Sequence, residues 1–178
     1  MTRARACILL LALAGLVGAV VWLGQSVGGA GRVDRPRAAS SASAAPAAPA
    51  ARGAAAALEI LHVWDADRSS AYASGRAAPL RELYVPGSSA GRADVELLLR
   101  YHRRGLRVTG MRTQVLSLAV LVHRADLWRL RVTDRLVGAV AVGHGSRTTL
   151  PRDRPSAHEI TLMRADQGRW LVADVRGR

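Results

Sequence analysis

Two segments of the chain, 24–28 and 87–91, match the GxSxG pattern that surrounds the nucleophilic serine of many hydrolases. Such a serine needs a preceding strand, and an acid and a histidine later in the chain. The first segment follows a long apolar run with no sheet to support it. The second has a later acid and histidine in the required order, but a helix is predicted before it. Capping of the next helix by Ser88 or Ser89 is the simpler explanation, so no catalytic residue is predicted.

Carboxylates and histidines show no spacing typical of a metal or acid–base site. Asp65 and Asp67 are two positions apart on a predicted helix, so their side chains point about 200° apart and cannot share a proton or a metal. An ion pair between Asp65 and Arg68 is the simpler interpretation. The five histidines lack HExxH or related spacing, and we predict neither a metal nor a cofactor. The single cysteine, Cys7, excludes an internal disulfide or a CxxC site.

Aromatic and imidazole side chains are the remaining candidates for ligand binding. The chain has four tryptophans and three tyrosines but no phenylalanine, so most of these side chains are expected in a core. Hydroxyl and imidazole groups in an apolar cavity can also polarise a carbonyl group or move a proton. If the domain has a cleft between its first helix and its sheet, we expect the residues near it to be Trp64, Tyr72, Tyr101 and His158. For His158, a buried and hydrogen-bonded histidine is the alternative.

The elements that would position these residues begin with three predicted helices. A helix is predicted over 54–74, where apolar and aromatic residues recur every three or four positions. A second, over 79–84, has proline in its first turn. A third, over 88–104, begins at a serine that can cap it and ends before Gly105.

Strands follow the helices in the sequence. Alternating apolar residues predict strands over 111–123, 127–142, 157–164 and 169–175, with a loop over 143–156. Within the second strand, Trp128, Leu130 and Val132 should point inward, and Arg129 and Arg131 outward. Helices first and an antiparallel sheet second predict an α+β domain, with about three helices packed on about four strands.

The closing segment, Glu159–Leu162 followed by Gly168–Val172, resembles the end of nuclear-transport-factor-like domains, which are cystatin-like α+β rolls. The resemblance implies that helices cover one face of a strongly curved sheet. It covers residues 54–178 as an arrangement, and departs from the family in lacking an early hairpin between the second and third helices. With its N-terminal region, the layout is similar to mammalian-cell-entry-associated membrane proteins of actinobacteria. The superfamily includes isomerases, dehydratases and non-catalytic domains, so the resemblance implies no particular activity.

Three regions are predicted in the 178 residues: a basic tail and membrane segment over 1–30, a disordered linker over 31–53, and the domain over 54–178. Residues 6–23 carry no charge, and as a helix they would be about 27 Å long, close to the hydrocarbon thickness of a bilayer. We therefore predict a single transmembrane anchor. A signal peptide cleaved near residues 28–30 stays open.

The linker is mostly alanine, proline, serine and arginine, and as a flexible coil would span about 25 Å. Because the N-terminal tail is basic, we expect the domain to lie outside the cytoplasm, facing the cell envelope, although arginines also follow the membrane segment. The formal net charge is +13, and all 26 cationic residues are arginine. The absence of lysine and asparagine indicates a GC-rich genome, with an actinobacteria-like composition.

Arg100, Arg103, Arg104 and Arg107 cluster at the end of the third predicted helix. The helix dipole favours cations there, and that suffices to explain them. The functional alternative is an anionic lipid or polymer bound at these residues. Nucleic acid is not predicted as a partner, because no aromatic platform or binding motif accompanies the charges.

These patterns lead to two main hypotheses of function, beside the third possibility of a purely structural spacer in which only the anchor and the length of the tether matter. The first is a membrane-anchored, envelope-facing accessory domain that binds a protein partner through its sheet and catalyses no reaction. The second is a small-molecule- or lipid-binding roll, with or without enzymatic activity, whose ligand lies in a cleft between the first helix and the sheet. Self-association of the chain stays open.

Overall fold

The computed structural model describes residues 47–177. The predicted anchor at residues 6–23 and most of the predicted linker at 31–53 lie outside these residues. Within 47–177, no helix is both long enough and apolar enough to cross a membrane.

Three helices precede the strands in residues 47–177, as predicted: α1 spans Ala47–Ser74, α2 spans Ala77–Arg81 and α3 spans Ser89–Arg103. α1 begins before the predicted residue 54, because the sequence there is rich in alanine and Pro49 falls in the first turn, where its missing N–H costs nothing. α2 is shorter than the predicted 79–84. The Ser88 hydroxyl accepts a hydrogen bond from the Gly91 amide at 3.2 Å, which confirms a serine cap on α3.

Two antiparallel sheets follow the helices. In residues 47–177 a main sheet has the strand order β2-β3-β6-β7, and a small sheet has the order β1-β4-β5. The strands are β1 Arg107–Thr109, β2 Arg112–His123, β3 Leu127–Val137, β4 Val140–Gly143, β5 Ser146–Thr149, β6 Ser156–Arg164 and β7 Trp170–Gly177. The predicted α+β class is therefore confirmed, and the arrangement is consistent with a cystatin-like roll.

A corner built from Gly110 and Gly138 separates the two sheets. Both residues have positive φ, 67° and 76°, and a Cβ on either would lie within about 3 Å of the other's carbonyl oxygen. The prediction of a single strand over 127–142 is wrong, because the chain bends at Gly138 and β4 then pairs with β1 instead of β2. The predicted loop over 143–156 is also wrong in part, since it contains β5.

The core lies between the helices and the inner face of the main sheet. β3 alternates as predicted: Trp128, Leu130 and Val132 are buried, whereas Arg129 and Arg131 are exposed on the outer face. α1 packs against β1 and β2, and α3 packs against β1 and β7.

The segment after α2 covers the edge of β7. The Val85 amide donates to the Val172 carbonyl, and the Val172 amide donates to the Leu83 carbonyl, each at 3.0 Å. Tyr84 thereby forms a parallel bridge with Val172. This pairing fixes Tyr84 between the main sheet and the helices.

Replacing Gly138 by alanine should destabilise the domain more than replacing Gly145. Both glycines have positive φ, 76° and 74°, so each substitution costs about 1–2 kcal/mol for the backbone conformation. A Cβ at Gly138 would also lie 2.9 Å from the Gly110 carbonyl oxygen, whereas a Cβ at Gly145 meets nothing within 4 Å. Urea unfolding of the two variants measures the difference, and equal losses would show that the close contact at the corner is unimportant.

Candidate functional site

A carboxylate at the centre of the helices organises the surrounding polar residues. Asp94 on α3 is fully buried and accepts hydrogen bonds from Arg68 Nε at 2.7 Å and Arg68 Nη2 at 2.6 Å. The hydroxyl groups of Tyr72 and Tyr84 each donate to a different oxygen of the same carboxylate, at 2.8 Å. Four donors from α1 and from the segment after α2 thus converge on one residue of α3.

The charges of this network stabilise one another. Burial alone would raise the pKa of Asp94, but the Arg68 guanidinium and the hydrogen bonds from Arg68, Tyr72 and Tyr84 outweigh burial, and the pKa lies below its usual value. Burial and the neighbouring Asp94 carboxylate raise the pKa of both tyrosines. The network is therefore an ion pair with two neutral hydroxyl groups at all pH values near neutrality.

The predicted ion pair between Asp65 and Arg68 is wrong. Arg68 faces the core and pairs with Asp94, whereas Asp65 accepts hydrogen bonds from the Thr113 amide at 2.8 Å and the Thr113 hydroxyl at 2.6 Å. Asp65 therefore ties α1 to the start of β2. Local spacing missed the true pair because its members are 26 positions apart.

A small cavity adjoins the network. Its lining includes Arg68, Tyr72 and Tyr101, and its volume is about 10 Å³, enough for one water molecule at most. Arg68 Nη1 is buried and has no hydrogen-bond partner among the described residues. The two tyrosines therefore border a nearly filled core and not a space for an organic ligand.

An apolar cleft opens between α1 and the β6–β7 turn, where a helix–sheet cleft was predicted. Its volume is about 420 Å³, within the range of small-molecule sites. Its apolar lining comes from Ala56, Ile60, Val63, Trp64, Leu83, Trp170 and Leu171. Glu59, Asp67 and Arg169 also border the cleft. The cleft is thus an apolar surface with few charges around it.

Trp64 connects this cleft to the buried network. Its ring meets the Tyr84 ring edge-on with centroids 5.8 Å apart, and the Arg68 guanidinium carbon lies 5.7 Å from the Trp64 centroid. The indole nitrogen is buried and finds no hydrogen-bond partner in residues 47–177. Residues held by Asp94 therefore fix the orientation of one wall of the cleft.

His158 belongs to a different part of the inner sheet face. Its Nε2 lies 3.0 Å from an oxygen of Asp134, and the histidine and aspartate are 8% and 7% exposed. Neither residue lines the cleft between α1 and the β6–β7 turn. The neighbouring Asp153 has a raised pKa, caused by partial burial and by Asp134. An imidazole held by a carboxylate can accept a proton, but here the nearby chain covers it.

A second apolar pocket, of about 700 Å³, lies on the other side of Leu171. Its lining comes from the segment 84–88, from α3 and from β7. Arg169 and Leu171 border both this pocket and the cleft. The sequence analysis did not predict this pocket. The available signal was that Val95 and Leu99 widen the apolar face of α3 beyond Leu98 and Tyr101.

The structure does not bring the four predicted ligand-binding residues together. Trp64 lines the cleft, Tyr72 and Tyr101 border the small internal cavity, and His158 pairs with Asp134. As ligand-binding residues they stay a prediction. In the part of the chain that the structure describes, no group of three or more histidine, cysteine, aspartate or glutamate side chains is placed to hold a metal ion.

No protein-family model and no curated protein sequence matches the chain. Solved structures with a similar arrangement include a protein from Catenulispora acidiphila, with 16% identity and a TM-score of 0.46 over 71% of this chain and 94% of that one. ActVI-ORFA from Streptomyces coelicolor aligns with 10% identity and a TM-score of 0.47 over 70% and 95%.

A domain of unknown function with a cystatin-like fold, from Nostoc punctiforme, aligns with 11% identity and a TM-score of 0.43 over 68% of this chain and 75% of that one. All three alignments cover more than two thirds of this chain. The similarity in layout to mammalian-cell-entry-associated proteins stays a prediction.

Replacing Asp94 by asparagine should destabilise the domain by about 3–5 kcal/mol, because the buried Arg68 guanidinium loses its counter-charge. The matched control is Asp174→Asn, because Asp174 pairs with Arg176, whose side chain is 80% exposed. Loss of this exposed ion pair should cost less than about 1 kcal/mol. Urea unfolding at neutral pH compares the two variants. Similar losses would contradict a special contribution from the buried pair.

The stabilising effect of Asp94 should disappear in acid. Its pKa is lower in the folded than in the unfolded protein, so its contribution is fully present above the unfolded pKa and is lost as the pH falls through the folded pKa. The difference in free energy of unfolding between the wild type and Asp94→Asn should therefore narrow below about pH 4. Unfolding curves from neutral pH to pH 3 test this, and a constant difference would argue against it.

Proposed function

We propose that this domain binds a small apolar organic molecule in the cleft between α1 and the β6–β7 turn. The supporting observation is the cleft itself, which has a volume of about 420 Å³ and an apolar lining dominated by side chains of α1 and β7. Pockets of this size and composition bury most of the surface of a small ligand. Burial of that apolar surface would drive binding.

The chemistry of the cleft favours a neutral or weakly cationic ligand over an anionic one. Glu59 and Asp67 contribute carboxylates from α1, whereas Arg169 contributes one guanidinium and already donates to the Glu82 carbonyl at 3.3 Å. The indole rings of Trp64 and Trp170 offer flat apolar surfaces, to which an aromatic ring or a polyene would fit well.

The α1 wall of the cleft is fixed before any ligand arrives. Trp64 contacts Tyr84 and Arg68, and both of these side chains are bonded to Asp94. A ligand therefore does not have to order this wall, which reduces the entropic cost of binding.

We propose binding and not turnover. The Asp134–His158 pair is the arrangement on the inner sheet face best suited to move a proton, and it does not line the cleft. A ligand held by Trp64 would have the carboxylates of Glu59 and Asp67 beside it, but not this imidazole–carboxylate pair. The predicted anchor at residues 6–23 would place this binding domain at a membrane.

An accessory role in binding a protein is the second candidate. β2 is an edge strand of the main sheet, and Leu116 and Leu121 lie at its two register shifts with 45% and 37% exposure. Exposed leucines on a free edge are suited to contact another chain. This role predicts effects of substitutions on β2 and none of substitutions in the cleft.

Photo-crosslinking with a neutral aryl diazirine tests the proposal on the full-length protein in mild detergent. We expect saturable labelling of residues 60–64 and 170–171, suppressed by an excess of the same aryl compound without the diazirine. Val63→Glu should reduce labelling about ten-fold, because Val63 is 54% exposed in the cleft and a carboxylate there opposes an apolar ligand.

Leu116→Glu is the matched control, since Leu116 is an exposed apolar residue outside the cleft. Its labelling at residues 60–64 should equal that of the wild type. Labelling that does not saturate, or that falls equally in both variants, would overturn the proposal. Loss of a co-purifying protein in Leu116→Glu alone would favour the accessory role.

A further inference from the structure

We propose that the domain docks on an anionic lipid surface through one basic end, formed by Arg76, Arg100, Arg103, Arg104, Arg107 and Arg147. All six side chains are exposed. The basic end does not overlap the apolar cleft, and the proposal is independent of ligand binding there.

Contacts between several elements bring the basic end together. A Cβ on Gly75, at the end of α1, would lie 3.6 Å from His102 Nδ1 and 3.7 Å from Arg107 Nε. His144 Nε2 lies 2.9 Å from the Arg104 carbonyl oxygen, which joins the end of α3 to the β4–β5 hairpin. α1, α3 and the small sheet therefore all meet here.

Arg107 and Arg147 share one face of the small sheet. Each is paired with Val142, Arg107 from β1 and Arg147 from β5, so the three residues form one row across the sheet. Adjacent residues Val108 and Ala141 are buried on the opposite face. The two arginines consequently point away from the core.

The helix dipole explains only part of this charge. Arg100 and Arg103 lie in the last turn of α3, where a cation is favoured. Arg76, Arg107 and Arg147 belong to other elements, so no single helix end accounts for them. Their convergence with the α3 arginines indicates a shared anionic partner.

Few carboxylates lie near the basic end: Asp67 and Glu82 line the same depression as Arg76, and Asp153 lies within electrostatic range of Tyr101, as Arg100 and Arg104 do. The sequence contains no aspartate or glutamate between Glu96 and Asp126. The ion pairs of residues 47–177 involve Arg68, Arg131, Arg176 and His158, and none of the six arginines of the basic end. Their positive charges remain available to phosphate groups.

A lipid surface suits this arrangement better than nucleic acid does. Binding of a single strand uses exposed aromatic rings on which bases stack, whereas Tyr101, the aromatic residue of this part of α3, is 9% exposed. The predicted anchor at 6–23 would hold the domain near a bilayer at high effective concentration. Each arginine near an anionic surface then contributes about a five-fold increase in affinity.

The test uses the full-length protein in nanodiscs, either of phosphatidylcholine alone or of equal parts phosphatidylcholine and phosphatidylglycerol. Phenylglyoxal modification of each arginine is followed by peptide mass spectrometry. In the anionic nanodiscs, we expect the reaction rates of Arg103, Arg107 and Arg147 to fall at least about five-fold. Arg129 and Arg131, exposed on the outer face of the main sheet, serve as internal controls and should not change.

Two triple variants sharpen the measurement. Arg103→Gln/Arg107→Gln/Arg147→Gln should abolish the protection that anionic lipid gives to Arg100 and Arg104, whereas Arg112→Gln/Arg129→Gln/Arg131→Gln should leave it unchanged. Salt of about 0.5 M, at which the Debye length is about 4 Å, should also remove it. Val63→Glu should have no effect.

Equal protection of Arg129 and Arg131, or none at the basic end, would overturn the proposal. Short single-stranded DNA is added to the neutral nanodiscs as a separate arm. Protection by DNA without protection by phosphatidylglycerol would assign the basic end to nucleic acid instead.

Discussion

The buried ion pair between Arg68 and Asp94 is the constraint on which the arrangement of the helices depends. Removing two charges from water is unfavourable unless hydrogen bonds compensate for the lost hydration. Here the carboxylate receives four hydrogen bonds, whereas Nη1 of Arg68 has no partner among the described residues. Their geometry fixes α1, α3 and Tyr84 relative to one another more narrowly than apolar packing would, since apolar contacts tolerate small shifts.

This constraint extends outward to both candidate surfaces. Trp64 contacts Arg68 and Tyr84, so the polar network orients an apolar wall of the cleft. The same relative placement of α1 and α3 brings Gly75, at the end of α1, beside His102 and Arg107. One buried carboxylate thus supports an apolar concavity on one side of the domain and a cationic surface at another.

Local patterns predicted much of this fold and little of its polar interior. Strict alternation identified β3, and serine capping identified the start of α3. The small sheet was not predicted because β1, β4 and β5 have only three or four residues each, too few for a period to emerge. Arg68 and Asp94 each interrupt an apolar helix face, which was the available signal, but pairing across 26 positions depends on tertiary packing. Trp64 was placed at the cleft from the sequence; Trp170 was not.

The two walls of the cleft differ in how freely they can change. In the α1 wall, Trp64 contacts Arg68 and Tyr84 of the buried network, so a substitution of Trp64 disturbs the core. The opposite wall is formed by Trp170 and Leu171 of β7 and by the preceding turn, a single turn of 3₁₀ helix at Asp166–Gly168 in which Asp166 and Gly168 are exposed. An insertion or exchange in that turn would widen or narrow the cleft without touching the interior. If the cleft binds a ligand as proposed, related chains that bind ligands of different size would therefore differ in the length of this one surface turn.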